Sequence, residues 1–133
     1  AAVQILKGQE FVPMDSVERI VTRDELIGLQ DKARTLSVHD SIFDYIVTLV
    51  EATRESELFS MGASPRGANA LLRMSRAMAV LSGREYVVPG DIAEVFNDVL
   101  GHRVKLAARA RANGMTVAEA LDEVRSQVKV PRT

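Results

Sequence analysis

The longest apolar-periodic run in the chain begins directly after Gly62-Ala63-Ser64-Pro65-Arg66, and this lead-in constrains the fold more than any other stretch. Ser64 is a preferred helix N-cap, because its hydroxyl can accept from the free N–H groups of a first turn. Pro65 then takes the first helical position, where its missing N–H removes no hydrogen bond. Gly62 gives the incoming chain backbone freedom. The pattern predicts a helix from Pro65 to about Ser82. At about 100° per residue, Ala68, Leu71, Leu72, Met74, Met78, Ala79 and Leu81 share one broad side. Arg66, Asn69, Arg73 and Arg76 fall on the other. This is a core-facing helix with a cationic stripe on its outer face.

Arg66 breaks a local rule. A helix N-terminus carries partial positive charge, so a cation in the first turn costs about a few tenths of a kcal/mol unless an anion compensates it. The same end of a helix attracts anions. Arg66 is therefore read as a functional anion contact. For Arg73 and Arg76 a solvated arginine face is the ordinary reading.

The rest of the composition narrows the classes. At 133 residues the chain has one domain's worth of length, enough to bury a core without disulfide staples. A formal net charge of -1 argues against a nucleic-acid module, which usually carries a basic excess. With no cysteine there is no disulfide framework and no thiolate metal site, and a reducing compartment is the default. No apolar run approaches the roughly 18 residues of a membrane span, and no signal peptide is visible. The chain opens with Ala1-Ala2 and no initiator methionine, as expected of a processed product or an excised piece.

In chain order, residues 1–7 read as the last turns of a helix stopped by Gly8. An irregular connector through Phe11-Val12-Pro13-Met14 follows, from Gln9 to Val21. Thr22-Arg23-Asp24-Glu25 is a capping box that opens a helix with Leu26, Leu29 and Ala33 facing inward. Thr35 to Val38 is an extended break. A helix from about Asp40 to Arg54 buries Ile42, Ile46 and Leu49, with Phe43 and Val50 as further candidates and Tyr45 as packing on its flank. After the central helix, Gly83-Arg84 turns the chain and Tyr86-Val87-Val88 is extended. Pro89-Gly90-Asp91 starts a helix whose Ile92, Val95, Phe96, Val99 and Leu100 form an i, i+3, i+4, i+7, i+8 stripe, ended by Gly101. His102 to Leu106 reads as a brief strand. Arg103, Lys105, Arg109 and Arg111 make a basic run of the kind usually found in a solvated loop. A second capping box, Thr116-Val117-Ala118-Glu119, opens the last helix, with Val117, Ala120, Leu121, Val124 and Val128 inward.

Unaided chemistry is missing. There is no phosphate-binding loop ending in Gly-Lys-Ser/Thr, no zinc-protease motif and no nucleophile elbow. His39 and His102 lie far apart without partners at ligand spacing, so each is read as a cap or surface residue and no metal site is expected.

The succession Gly62-Ala63-Ser64-Pro65-Arg66, an alanine- and arginine-rich helix, Gly83-Arg84-Glu85-Tyr86-Val87-Val88-Pro89-Gly90-Asp91-Ile92, and Val99-Leu100-Gly101-His102-Arg103 resembles the C-terminal lid of MoxR-type AAA+ ATPases. Asp44-Tyr45-Ile46 and Ala52-Thr53-Arg54 fit the helix that precedes this signature. The resemblance covers nearly the whole chain, and magnesium-chelatase ATPase subunits carry a similar lid. It implies an all-α bundle of about five helices with minor extended pieces. It also implies a division into residues 1–8 (the end of an upstream AAA+ core), 9–21 (a connector) and 22–133 (the lid). Val88 departs from the pattern, standing where the family commonly has a Ser or Thr cap.

By the same resemblance Arg66 is the sensor 2 arginine, catalytic only together with the core, and Ser64 and Pro65 position it at the nucleotide. The implied cofactor is ATP with Mg2+ in the parent protein, with none held by this chain alone. The implied partners are the AAA+ core, neighbouring subunits of a hexamer and von Willebrand A domain proteins. A cytoplasmic, chaperone-like remodeller without nucleic acid or a membrane span is expected. The Walker motifs, sensor 1 and the arginine finger belong to a core that this sequence does not include, so the chain alone should be catalytically silent. The resemblance assigns no role to Arg54, Arg73 or Arg76. Two rival readings stand beside it. One is a stand-alone helical adaptor whose arginine face binds an acidic protein. The other is a nucleic-acid-binding bundle using Arg66, Arg73, Arg76 and Arg84, which the near-neutral charge disfavours.

Overall fold

Each main helix starts where a local signal tells it to. The structure, a computed structural model, describes residues 2–7 and 14–132, without the side chains of Gln4 and Ile5. Helix α1 spans Ala2–Lys7, and a short 3-10 turn spans Met14–Ser16. Gly8 and the Phe11-Val12-Pro13 part of the expected connector lie outside the described residues. Helix α2 spans Arg23–Thr35 behind the expected capping box, with Thr22 Oγ1 accepting from the Glu25 N–H at 3.1 Å. Helix α3 spans Asp40–Glu55, and its N-cap is His39, whose ring accepts from the Ser41 N–H at 3.1 Å. That is one of the two roles expected for this histidine.

Strand β1 (Phe59–Met61) leads into α4 (Pro65–Leu81), and α5 spans Pro89–Leu100. Strand β2 is Lys105–Leu106, shorter than the stretch from His102 that the sequence suggested. A five-residue helix α6 (Ala108–Ala112) follows where a solvated loop was expected. Helix α7 spans Val117–Gln127, again behind its capping box, with the Glu119 N–H bonded to Thr116 Oγ1 at 3.1 Å. Strands β1 and β2 pair antiparallel, Phe59 opposite Leu106 and Met61 opposite Lys105, with an irregularity between. A parallel bridge joins Ser37 to Tyr86. The architecture is the expected all-α bundle with a minimal ribbon.

Helix α4 lies at the centre, packed against α2, α3 and α5, while α7 closes over α3 and α5. The core is built from Ile42, Leu49, Leu71, Ile92, Phe96, Leu100 and Leu121, all fully buried. Each such side chain contributes about 1.5–3 kcal/mol relative to exposure. Tyr45 is buried too, as is Val50, but Phe43 is exposed. Burial pushes the Tyr45 phenol above its ordinary value, and the nearby Arg125 charge works against that rise.

The apolar sides of two helices differ from expectation. On α4 the buried row is Gly67, Leu71, Ser75 and Ala79, while Met74 and Leu81 are exposed and Leu72 is half-buried. The row follows a four-residue spacing of mostly small residues, which lets neighbouring helices come close. Ser75 belongs in it because its hydroxyl donates to the Leu71 carbonyl at 2.7 Å and so enters the core satisfied. On α2 none of the residues is fully buried, and Leu26 and Leu29 stay 47% and 42% exposed, leaving only Ala33 half-buried. Helix α2 packs on α4 alone to any extent among the described residues. Its apolar stripe is real but only partly covered.

Two turns are fastened by polar contacts. Arg84, just after α4, reaches Asp91 in the first turn of α5 with both arms of its guanidinium, one bond being 2.7 Å. Asp91 is 2% exposed and also accepts from the Val88 N–H at 2.9 Å. Valine has no acceptor of its own, so this aspartate alone caps the start of α5. The hydrogen bond to Asp91 raises the Arg84 pKa above its ordinary value. At the other end of α5, Gly101 is right-handed, with φ at -57°. It closes the helix as expected but for a different reason, since a Cβ there would stand 2.7 Å from the Asn97 carbonyl oxygen.

Candidate functional site: an arginine groove at the start of the central helix

The segment that carries Arg66 is held from below. Thr53, fully buried in the last turns of α3, donates to the Val50 carbonyl at 2.6 Å and accepts from the Ala63 N–H at 2.9 Å. Gly62 then runs against the α3 backbone. A Cβ at that position would sit 2.5 Å from Arg54 Cα and 2.6 Å from the Thr53 carbonyl oxygen. The glycine is thus required by close approach. Its φ is not in the left-handed region, so the conformational freedom expected of it is not what the site uses.

From this anchor the chain turns into α4 at Ser64. Ser64 is the N-cap residue and Pro65 the first helical residue, as expected. The Ser64 hydroxyl makes no capping hydrogen bond, however. Its carbonyl accepts the first helical bond instead, from the Gly67 N–H at 2.8 Å. The helix therefore starts on backbone geometry and proline, with its first-turn donors left without a side-chain cap.

Arg66 projects from that first turn and is exposed. It shares an open groove with Arg54, Met61, Ser64, Pro65 and Arg103. Arg103 arrives there through tertiary structure. It follows α5, and the chain after it pairs as β2 with β1, the segment that runs into α4. Ser60 Oγ adds bonds of 3.3 Å to the carbonyls of Lys105 and Leu106. The Arg103 stem runs past Gly67, where a Cβ would touch Arg103 Cδ at an ordinary 3.7 Å and press more closely on Leu100 Cδ2 at 3.2 Å and Ala63 Cβ at 3.3 Å.

The electrostatics of the groove are one-sided. Three guanidinium groups line it and no carboxylate does. None of the three enters an ion pair with a described residue. Such an arrangement attracts a multiply charged anion, and guanidinium forks match phosphate oxygens well. It offers no carboxylate to a cation. Among the described residues no cluster of His, Asp or Glu side chains is arranged to hold a metal.

Sequence reasoning found Arg66, Ser64 and Pro65, and the structure places them together. It did not bring Arg54 or Arg103 to them, and it gave Thr53 no task. Arg73 and Arg76 lie elsewhere, in a separate groove with Gln30, Ala33 and Arg34 between α4 and α2. Arg84 is removed from the free cations by Asp91, which takes one member from the nucleic-acid reading.

The family profile of the AAA lid domain matches residues 51–124, the span from the end of α3 through α7. Among curated relatives, YeaC of Bacillus subtilis, described as uncharacterised, is 35% identical over 90% of this chain. Chaperone MoxR1 of Mycobacterium tuberculosis is 34% identical over 86% of it, and protein MoxR of Methylorubrum extorquens 36% over 69%. The chain spans 37%, 33% and 31% of those relatives, about a third of each. A solved structure of a proposed ATPase from Cytophaga hutchinsonii superposes over 98% of this chain and 43% of its own, with a TM-score of 0.81 and 28% identity. The chain belongs to the AAA lid domain family and is the lid of a MoxR-type AAA+ ATPase.

Proposed function

We propose that this lid places Arg66 as the sensor 2 arginine over the phosphates of ATP held by the AAA+ core of the parent protein. The observation that carries the reading is the groove itself: an exposed, unpaired arginine in a helix first turn, among two further arginines and no acid. Ser64 and Pro65 set the start of the helix and hence where Arg66 stands, and Thr53 and Gly62 hold that start against α3. When bound, ATP with Mg2+ supplies the γ-phosphoryl group whose loss changes the charge that the lid faces. The residues here fit the phosphates and not the metal, which the core would hold. Arg66 neutralises phosphate charge, stabilising it most where charge develops, and its release on hydrolysis lets the lid move.

In this reading residues 1–8 end the core, 9–21 connect, and 22–133 form the lid. The lid motion drives chaperone-like remodelling of partner proteins, von Willebrand A domain proteins among them, by a cytoplasmic hexamer. The similarity to chaperone MoxR1 supports the chaperone-like role, and the half-covered apolar stripe of α2 suits packing on the core or a neighbouring subunit. No described helix is long and apolar enough to cross a membrane. The test is ATP turnover of the full-length parent with Arg66→Ala. Turnover should fall tenfold or more, a loss of about 1.4 kcal/mol of transition-state stabilisation, while Arg73→Ala and Arg76→Ala have smaller effects. Unchanged turnover in a normally stable Arg66→Ala protein would sink the assignment.

A further inference from the structure

The groove carries more positive charge than one sensing contact needs. Arg54 has an ordinary explanation, since it lies in the last turn of α3, where a cation complements the helix dipole. Arg103 has none. It lies beyond the end of α5, half-buried, with its stem against the first turn of α4 at Gly67. Its Nε is shut off from solvent and has no hydrogen-bond partner among the described residues.

Arg76 and Arg125 share that last feature, so it does not decide the matter alone. Arg125 has an acid 3.7 Å away in Asp122. Arg76 lies in the other groove, between α4 and α2, with Arg34 and Arg73 and away from Arg66. Of the three, Arg103 alone lines the groove that holds Arg66, where there are cations and no carboxylate; its other side faces a separate open groove with Asp98 and His102. Its backbone is also fixed: the Arg103 N–H donates to the Leu100 carbonyl at 2.9 Å, and β2 begins two residues later. A residue whose backbone is held in this way, on an element separate from α4, is suited to meet the same ligand as Arg66.

We propose that Arg103 is a second phosphate contact of the Arg66 groove, so that a polyphosphate is gripped by arginines from two different elements. The nature of the ligand rests on the sensor reading given above, but the role of Arg103 is separable from it. The grip would also tie the β1–β2 ribbon to the state of the phosphates, because Arg103 leads directly into β2.

The experiment is a titration of the isotope-labelled chain with inorganic tripolyphosphate, without metal, followed by amide chemical shifts. Shifts should be confined to residues 62–68 and 103–106, with a dissociation constant in the millimolar range. Arg103→Gln keeps much of the stem and should weaken binding about tenfold, equivalent to about 1.4 kcal/mol. Arg103→Lys keeps the charge but not the fork and should fall between, and it also serves if the glutamine variant folds poorly. Arg109→Ala, on α6 outside the groove, should bind as the unaltered chain does. Three results overturn the proposal: equal binding by folded Arg103→Gln and Arg103→Lys, shifts scattered over all basic surfaces or absent, or stronger binding of an acidic peptide than of tripolyphosphate. If Arg66→Ala binds normally while Arg103→Gln does not, the contact made by Arg103 stands and the sensor reading of Arg66 falls. The reverse result keeps the sensor and removes Arg103.

Discussion

The two ends of α4 carry arginines in opposite circumstances. Past its C-terminus, Arg84 is clasped by a buried aspartate that also caps the next helix. At its N-terminus, Arg66 stands exposed beside Arg54 and Arg103 with no acid among the groove residues. Both are single arginines next to a turn containing glycine, and their sequence surroundings look alike. Their partners differ, and with them the kind of work each does. Arg84 holds the α4–α5 corner together. The N-terminal arginines contribute nothing of that kind and leave their charge available to something outside the described chain.

The largest effect that would sharpen this contrast is on stability. Arg84→Ala strands the Asp91 carboxylate, which is only 2% exposed. Removing one partner of a buried pair costs about 3–5 kcal/mol, and the 27% exposure of the Arg84 side chain places the expected loss at the low end of that range. Arg66→Ala should change stability by less than about 0.5 kcal/mol, as for a surface residue without partners. Urea unfolding of both variants checks the pair, and equal losses would erase the contrast.

A smaller effect tests how the N-terminal end is held. Thr53→Val keeps the shape but leaves the Ala63 N–H without its acceptor, at an expected cost of about 1–3 kcal/mol. The same variant in the parent should lower ATP turnover, since it loosens the segment that aims Arg66. Normal stability with normal turnover would mean that the anchor is idle.

The smallest effect lies away from both ends. The folded-state pKa of Tyr45 is raised by burial. Its contribution to stability is therefore complete below the ordinary tyrosine value of about 10 and is lost as pH rises through the folded value. Arg125→Gln removes the charge that opposes the rise, so the phenolate absorbance of Tyr45 should appear at still higher pH. A shift downward would contradict the assigned cause.

Much of the fold was legible because the helices announce their own starts. Thr22 with Glu25, Pro65, Pro89 with Asp91, and Thr116 with Glu119 each act within one turn. The sequence did less well wherever the cause lies across the chain. Gly62 is needed for its approach to Arg54, and the apolar stripe of α2 shows a face without showing what covers it. The five residues of α6, Ala108–Ala112, are too few to display a helical period. Half of the site was legible for the same reason. Arg66 violates a rule that can be read locally. Arg103 looks like one more residue of a basic loop until β2 folds back on β1, through contacts such as Ser60 to Leu106 that span 46 positions.

The most direct test of the central claim is the distance between a spin label on the lid and one on the core of the parent, measured with a non-hydrolysable ATP analogue and with ADP. The unaltered protein should give two different distances. The Arg66→Ala protein should give the same distance with either nucleotide, because the lid no longer senses the γ-phosphate. If Arg66→Ala still shows the full difference, some other group senses the phosphate and the assignment of Arg66 is wrong.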